Sequence, residues 1–313
     1  ARGRWPSGRG WLILYRSSAG VHLAGAGHES PFPMPDDFHI RDLESLKDYA
    51  DCVALQDETW GATFSERVPT AILRVGQLIG GVSAGAFGAD GAMAGFVFGL
   101  TGLRDGELVH WSDMLAVREP LRGQQIGVRL KHYQRAQVLA IGVKAMLWTF
   151  DPLVARNAHF NINRLGAMPI SYQPDMYGAN TGSTLHGSLP TDRFIAQWDL
   201  ARPPSPDADA AVAREGDLAF ALANPLAADG LPIATVAGLT PPPRDTGYRV
   251  QIPADFASMQ GTGRDGLLRW RAVTRGVLTT LHSHGYAVTA FRRGSGDALP
   301  YYVLQRLSAQ AVA

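Results

Sequence analysis

The segment from Leu115 to Lys131 constrains the fold of this chain more than any other stretch. It reads as an apolar strand end, a turn with Pro120, a basic loop flanked by glycines and the start of a helix. Backbone amides at a helix N-terminus have no partner within the helix, and the helix dipole favours an anion there. Gly123 and Gly127 lack a Cβ, so the backbone can approach a phosphate closely. The segment predicts either a pyrophosphate site or an ordinary basic corner between a strand and a helix.

Composition narrows the class of protein. The chain has 313 residues, a length that suits two domains, and its formal net charge of +1 argues against a general nucleic-acid binder. Its single cysteine, Cys52, cannot form an intrachain disulfide, and we interpret it as a small buried hydrophobe on a helix. Apolar runs fall short of the roughly 18 residues typical of a membrane span. We expect a soluble cytoplasmic protein that binds neither nucleic acid nor membranes.

Shifts in composition predict the domain organisation. Residues 1–33 are rich in Gly and Arg, and their one apolar run is too short for a secretory signal, so we expect an extension with little structure. A globular pattern begins near Met34 and continues to residue 200. Residues 201–209 contain three prolines and predict a linker. Residues 210–313 would then form a smaller α+β domain.

Hydrophobic periodicity predicts helices and strands in a characteristic order. In the first region a short strand and a helix precede an antiparallel meander, and a helix, a strand, a further helix and two strands follow. The main helices are predicted at 43–59, 126–139 and 155–165, and the meander strands at 81–87, 92–100 and 108–117. In the second region we predict strands at 218–221, 233–236, 248–252, 286–292 and 301–306, and a helix at 266–283. The fold class is therefore α/β (α+β), a mixed and mostly antiparallel twisted sheet flanked by helices.

This order of elements, with the loop Arg122–Gly127, resembles the GNAT superfamily of acyl-CoA-dependent N-acyltransferases. That family carries the pattern Arg/Gln-x-x-Gly-x-Gly/Ala between its fourth strand and third helix. Gln125 replaces the middle glycine here, a departure that is tolerable if Gln125 stays helical. The longer motifs Trp148–Gly166 and Leu189–Arg193 resemble a poorly characterised two-domain subfamily of predicted GNAT acyltransferases. The similarity covers about residues 36–308.

The resemblance implies acetyl-CoA or another acyl-CoA as co-substrate, and no metal. It places the pyrophosphate on the loop and the first helical amides, the pantetheine arm along the preceding strand end, and the thiol beside the next helix. The implied cofactor-binding residues are Leu115, Ala116, Val117, Arg122, Gly123, Gln124, Gln125, Ile126, Gly127, Val128, Asn157 and Phe160. A bulge or splay after Val117 would open the sheet for the arm.

Direct transfer of an acyl group to an amine needs a proton acceptor and an oxyanion donor. The strand before the loop supplies two candidate bases, His110 and Asp113. Strand alternation places Asp113 on the same face as Leu115 and Val117, and His110 on the opposite face. Both residues can instead be structural, in which case a water chain serves as the base.

The general acid is harder to assign from the sequence. Many GNAT enzymes place a tyrosine four residues before the glycine that closes the last helix, and Ile162 occupies that position here. We prefer Tyr177 as a replacement because it lies in a loop expected to line the acceptor side. Tyr172 and His159 are alternatives.

Three further residues are candidates for acceptor binding. Glu58 and Trp60 follow the first helix, where GNAT proteins often bind substrate. Arg193 could clamp a carboxylate through its planar guanidinium, or form an internal ion pair with Asp192 or Asp199.

Together these features predict transfer of an acetyl or succinyl-like group to a small amine, with an amino acid as the acceptor if Arg193 binds a carboxylate. The alternatives are a non-catalytic CoA-binding regulatory module and a structural module that binds no nucleotide. Arg269, Arg271 and Arg275 on the last helix are interpreted as solvated or interface residues. The C-terminal region is expected to cover the acceptor site or to form a homodimer contact.

Overall fold

The computed structural model describes residues 38–178, 181–184, 189–202, 218–222, 247–256, 259, 264–294 and 298–306. Residues 37–313 form one compact unit. The expected extension at 1–33, most of the linker at 201–209 and the predicted strand at 233–236 lie outside the described residues. The proposed division into domains at 34–200 and 210–313 stays a prediction.

The region up to residue 200 contains the predicted strands and helices with small shifts at their ends. Its strands are β1 (Phe38–Asp42), β2 (Val82–Gly88), β3 (Met93–Arg104), β4 (Glu107–Val117), β5 (Ala145–Phe150), β6 (Met168–Gln173) and β7 (Arg193–Asp199). Its helices are α1 (Leu46–Trp60), α2 (Thr70–Leu78), α3 (Ile126–Ala140) and α4 (Ala155–Ala158). Helix α4 continues as a π-helical turn over His159–Arg164, and π-helical turns are frequent at functional sites.

The described part of the C-terminal region has strands β8 (Ala219–Leu222), β9 (Tyr248–Gln251), β10 (Tyr286–Arg292) and β11 (Tyr301–Arg306), with helix α5 (Arg264–Ser283). They form a four-stranded sheet in the order β10-β11-β9-β8. The main sheet has seven described strands in the order β1-β2-β3-β4-β5-β7-β6, and among them only β4 and β5 pair in parallel. The predicted fold class, a mostly antiparallel mixed sheet flanked by helices, is confirmed.

Helix α1 shows how local sequence builds this frame. Ser45 caps it by a reciprocal pair of hydrogen bonds with Asp48, which satisfies two amides of the first turn. Tyr49, Cys52 and Leu55 follow at helical spacing and are buried in the core over the main sheet. Burial raises the pKa of the Cys52 thiol to about 12, so this cysteine stays a thiol and packs as an apolar side chain.

The main sheet opens in its middle. Strands β4 and β5 are paired only from Val109 to Trp111 on β4, and beyond Trp111 they separate. A bulge at Asp113 interrupts the pairing of β4 with β3 at the same level. The expectation that the irregularity follows Val117 is wrong, because the parallel ladder already ends where the side chain of Lys131 contacts both strands.

The second sheet packs against the far end of the first. The Tyr302 ring lies 5.4 Å from that of Phe194, and the Tyr302 hydroxyl donates to the carbonyl of Pro152 at 2.7 Å. The Asn163 amide donates to the carbonyl of Phe291 at 3.1 Å. This docking brings residues of the C-terminal region to the opening between β4 and β5.

Candidate active site

A cavity of about 440 Å³ occupies the opening between β4 and β5. Its walls come from both strands, the π-helical turn, the loops after α1 and β6, and the C-terminal region. Phe256, Leu267 and Arg271 are the contributions of the C-terminal region. Seven of the residues predicted from the sequence line it: Trp60, Asp113, Leu115, Asn157, Phe160, Tyr177 and Arg193.

The predicted phosphate loop leads into α3 through a strained residue. Gln125 is the N-cap and has φ = 61°, in the left-handed region, so the helical conformation that would make its side chain tolerable there is not adopted. The chain needs a left-handed residue at this turn, which is why a glycine suits the position. The first intrahelical bond runs from the Arg129 amide to the Gln125 carbonyl at 3.1 Å, and the amides of Ile126, Gly127 and Val128 precede it.

Gly127 keeps the path from the helix start to the cavity open. A Cβ built on Gly127 would lie 3.7 Å from the Phe160 ring and 3.8 Å from the Leu115 side chain. A longer side chain would extend into the gap between these two cavity residues. The gap beside Gly127 therefore has room for an extended ligand that would join a phosphate group at the start of α3 to a reactive group in the cavity.

The end of β4 supplies a backbone edge to that gap. Ala116 and Val117 pair with Phe96 and Gly95 of β3 on one side. On the other side the described residues show no ladder with β5 beyond Trp111. Strand edges of this kind accept extended partners through main-chain hydrogen bonds.

Asp113 is the carboxylate best placed for proton transfer. It is the bulge residue of β4, lies at the cavity mouth, and accepts a hydrogen bond from the Trp111 indole at 3.2 Å. Partial burial raises the pKa of Asp113, and the charge of Glu66 raises it further. A raised pKa makes a carboxylate a stronger base.

His110 is not among the residues that line the cavity, and the sequence-based proposal that it acts as a base is corrected. Its ring is fully buried under α3, with Nδ1 2.9 Å from the Thr101 hydroxyl and Nε2 3.0 Å from the Gln134 amide. Burial, helped by the charge of Lys131, lowers the pKa of His110 to about 3. The imidazole is therefore neutral and structural.

Tyr177 lies on the cavity wall, with its hydroxyl 2.9 Å from that of Thr149. Burial raises the pKa of Tyr177, so the hydroxyl keeps its proton at neutral pH. The alternative Tyr172 is engaged elsewhere, donating to Asp192, and neither Tyr172 nor His159 is among the residues that line the cavity.

A buried cluster of charges forms the inner wall. Arg271 makes two hydrogen bonds to Asp151, at 2.8 and 2.6 Å, and Arg193 lies 3.6 Å from the same carboxylate. Burial would raise the pKa of Asp151, but the two guanidinium groups hold it below its ordinary value. The expected ion-pair partners of Arg193 are wrong, since it pairs with Asp151 and donates to the backbone carbonyl of Asp192 at 2.9 Å.

The three arginines of helix α5 divide between the two interpretations made from the sequence, interface and solvated residues. Arg271 is 3% exposed, and Arg275 pairs with the buried Asp192, so both tie α5 to the main sheet. Only Arg269 of the three arginines is solvated. Arg271 and Asp151 are 120 positions apart, and no local pattern signals their pairing.

Comparison with solved structures finds similar proteins over about half of the chain. A putative GNAT-family acetyltransferase from Desulfovibrio desulfuricans is 16% identical, with a TM-score of 0.42 over 52% of this chain and 99% of that one. A GNAT-family acetyltransferase from Streptococcus pneumoniae is 16% identical, with a TM-score of 0.42 over 51% and 98%. A putative acetyltransferase from Salmonella typhimurium with its cofactor acetyl-CoA is 19% identical, with a TM-score of 0.40 over 55% and 99%. Comparison with family models and with curated proteins gives no match.

Two of these neighbours are GNAT-family acetyltransferases, the superfamily that the sequence resembles. At these identities the similarity concerns the fold alone, and the chemistry must be argued from the site.

One predicted substrate residue, Glu58, lies outside the cavity. It forms an ion pair with Arg118 on the surface instead. Trp60 does line the cavity and stacks on Phe64 at 5.8 Å. Sequence reasoning missed Glu66, Lys131 and Asp151, which reach the cavity only through tertiary packing.

Metal binding and membrane crossing find no support in the described residues. They contain no group of three or more His, Cys, Asp or Glu side chains arranged to hold a metal ion. Among the same residues, no helix has the length and apolar character needed to cross a membrane.

Proposed function

We propose that this protein is an acyl-CoA-dependent N-acyltransferase in which an amine attacks the thioester directly. The observation that carries the proposal is the cavity that starts where β4 and β5 separate and whose lining residues Leu115 and Phe160 lie beside Gly127 in the first turn of α3. A helix N-terminus binds phosphate groups, and a strand edge binds an extended chain that contains amides. Coenzyme A has both groups in this order.

Different residues would bind the different parts of acyl-CoA. The amides of Ile126, Gly127 and Val128 would hold the pyrophosphate, with Gly123 and Gln124 in the loop before them. The backbone edge Leu115–Val117 would pair with the pantetheine amides. Asn157 and Phe160 on the cavity wall would flank the thioester. Direct transfer needs no covalent enzyme intermediate, so this design requires no nucleophilic side chain.

Asp113 would take the proton of the attacking amine. Its raised pKa suits this role, and its place at the cavity mouth allows an acceptor to approach from solvent. Backbone N–H groups on the edge of β4 just after Trp111, where the described residues show no ladder with β5, would stabilise the oxyanion that forms on the carbonyl. Tyr177 keeps its proton at neutral pH and would donate a hydrogen bond on the acceptor side.

The distribution of charge favours a small acceptor that carries both an amine and a carboxylate. Asp113 and Glu66 would attract the ammonium, while Arg193 and Arg271 lie on the inner wall. Both guanidinium groups lie against the carboxylate of Asp151. An amino acid meets both requirements, and the acyl group would be acetyl or a larger one such as succinyl. A volume of about 440 Å³ is at the small end of the range for ligand pockets.

A second candidate is a regulatory module that binds CoA without catalysis. Ile162 is buried and apolar, and it occupies the position where many GNAT enzymes have a tyrosine that acts as general acid. Gln125 occupies the loop position where they have glycine. These two differences from the GNAT pattern would affect catalysis or the binding of the cofactor, and neither would affect folding.

A thiol-release assay with acetyl-CoA and succinyl-CoA against a panel of amines and amino acids separates the candidates. The enzyme should release thiol only when an acceptor is present. Asp113→Asn should lower that rate by about 10²–10⁴-fold, the usual contribution of a general base. Asp105→Asn, in an exposed hairpin turn that already adopts a left-handed conformation, is the matched control. Binding of CoA in calorimetry without thiol release would favour the regulatory module, and no binding at all would refute both.

A further inference from the structure

Lys131 places a buried amine at the point where β4 and β5 separate. Its Nζ donates to the Ser112 hydroxyl at 2.7 Å and lies 3.7 Å from the Met146 sulfur. It also lies 3.7 Å from the centre of the Trp148 ring. Ser112 and Trp148 are the first residues after the paired part of their strands. The amine therefore sits at the apex of the cavity, between the two diverging strands.

This amine lacks the partner that a structural buried lysine normally has. Lys131 is 2% exposed, and the ion pairs of the described residues include no carboxylate within reach of its Nζ. Lysine is almost never fully buried unless it is paired. Burial lowers the pKa of Lys131 well below its ordinary value, so its ammonium is a stronger acid than that of an exposed lysine.

A chain of hydrogen bonds behind β4 holds the amine as a donor. It runs through Lys131, Ser112, Gln134, His110, Thr101 and the carbonyl of Gly80. Because the carbonyl at its end can only accept, each group along the chain donates away from Lys131. The Ser112 oxygen is therefore left to accept from Nζ, which fixes the position of the amine and leaves its other N–H bonds toward Met146, the Trp148 ring and the cavity.

We propose that Lys131 is the general acid that protonates the sulfur of the departing CoA thiolate. The inference rests on the proposed function. Five residue steps separate Val117 from Ser112, about 17 Å of strand. An extended pantetheine arm spans a similar length, so a thioester whose arm follows β4 from the start of α3 ends beside Lys131.

The other cavity residues agree with this assignment. Ile162, at the family's usual acid position, has no proton to give, and it is not among the cavity residues. Asp113 and Ser112 are neighbours on β4 and face opposite sides of the sheet. The amine would then attack from the side of Asp113 while the sulfur leaves toward Lys131.

The proton and electron balance is complete without another reagent. The ammonium of the acceptor first gives one proton to solvent water, and the neutral amine nitrogen then bonds to the carbonyl carbon and passes a second proton to Asp113. The C–S bond breaks, its electron pair stays on sulfur, and sulfur takes a proton from Nζ of Lys131. Water then returns a proton to Lys131 and removes the one on Asp113.

The pH dependence of kcat tests this role, because an acid must be protonated to act. The wild-type kcat should fall as the pH rises through the pKa of Lys131. The other charged groups that face the cavity are Glu66, Asp113, Asp151, Arg156, Arg193 and Arg271, and the neutral His110 lies behind β4. These groups titrate in wild type and variants alike. A fall of kcat with pH that changes only in the Lys131 variants is therefore caused by the titration of Lys131.

Lys131→Met should lower kcat by about 10²–10⁴-fold and remove the alkaline fall, while CoA affinity in calorimetry changes little. Lys131→Arg should move the alkaline fall to higher pH, because a guanidinium does not lose its proton. Lys144→Met, at a lysine that is 78% exposed, is the matched control. Thermal melts show whether each variant folds. If Lys131→Met does not fold, the pH profiles of kcat for wild type and Lys131→Arg test the role of Lys131.

The outcomes separate this inference from the proposed function. If wild type transfers acyl groups and Lys131→Met retains kcat and its pH profile, the role of Lys131 is overturned and the proposed function stands. A wild-type rate that rises as Lys131 deprotonates would make it a base and also overturn the inference. A wild-type protein that releases no thiol with any donor and acceptor overturns both.

Discussion

Arg271→Met should destabilise the protein by severing the buried contact between α5 and the main sheet. Arg271 is 3% exposed and holds Asp151 through two hydrogen bonds of 2.8 and 2.6 Å. Removing one partner of a buried ion pair costs about 3–5 kcal/mol. Arg193 at 3.6 Å and the Leu153 amide at 2.9 Å remain beside the carboxylate, so we expect a loss near the low end, about 3 kcal/mol.

Urea denaturation followed by tryptophan fluorescence measures this loss. The midpoint should fall with little change in slope, since the surface exposed on unfolding stays similar. Arg67→Met is the matched control, because Arg67 pairs with Asp57 at 2.9 Å on the surface, with side chains 42% and 32% exposed. It should cost less than about 1 kcal/mol.

The pH dependence of the same measurement has a defined sign. Asp151 has a folded-state pKa below its unfolded value of about 3.9, so its ion pairs stabilise the fold above that pH. The stabilisation is lost as the pH falls through the folded-state pKa. The difference between wild type and Arg271→Met should therefore shrink in acid. A loss below about 1 kcal/mol at neutral pH, equal to that of the surface control, would refute the reasoning.

Four other changes test separate features. Gly127→Val should weaken CoA binding at least about tenfold in calorimetry, because the valine side chain would enter the gap between Phe160 and Leu115. An unchanged CoA affinity would contradict the proposed phosphate site at the start of α3. Gln125→Gly should raise stability by about 1 kcal/mol in urea, since glycine relieves the left-handed strain at φ = 61°, and a loss would mean that the hydrogen bond from Arg164 dominates. In the pH profile of kcat/KM, the fall on the acidic side should have its midpoint above the ordinary Asp pKa, because Asp113 has a raised pKa and is protonated at low pH. This fall should disappear in Asp113→Asn, and its persistence would mean that another group is the base. Gly276→Ala, on an exposed face of α5 with no atom near the added Cβ, should stabilise the protein by about 0.5–1 kcal/mol without altering CoA binding; destabilisation would contradict the environment seen for this glycine.

Much of the frame was predictable because its signals are local. The capping residue Ser45, the apolar spacing of α1, and Gly166 with φ = 73° at the end of the π-helical turn all act within a few residues of one another. Alternation along β4 separates Asp113 from His110, but the expectation that Leu115 shares the face of Asp113 is wrong, because the bulge at Asp113 brings Leu115 beside Gly127 of α3, the helix that covers His110. The loop before α3 likewise indicates a helix N-terminus, although the left-handed state of Gln125 depends on the actual turn geometry.

The charged groups at the apex and inner wall of the cavity were brought together by tertiary structure. Lys131 lies on a helix whose sequence gives no sign that its amine reaches two strands at their point of separation. Arg271 reads as one more arginine on an amphipathic helix, yet it pairs with Asp151 from 120 positions away. Helix capping and the periodicity of apolar residues depend on neighbours along the chain, and the sequence alone determines them. Burial and charge pairing depend on which distant segments meet, so the buried amine of Lys131 and the pairing of Arg271 with Asp151 appear only in the folded protein.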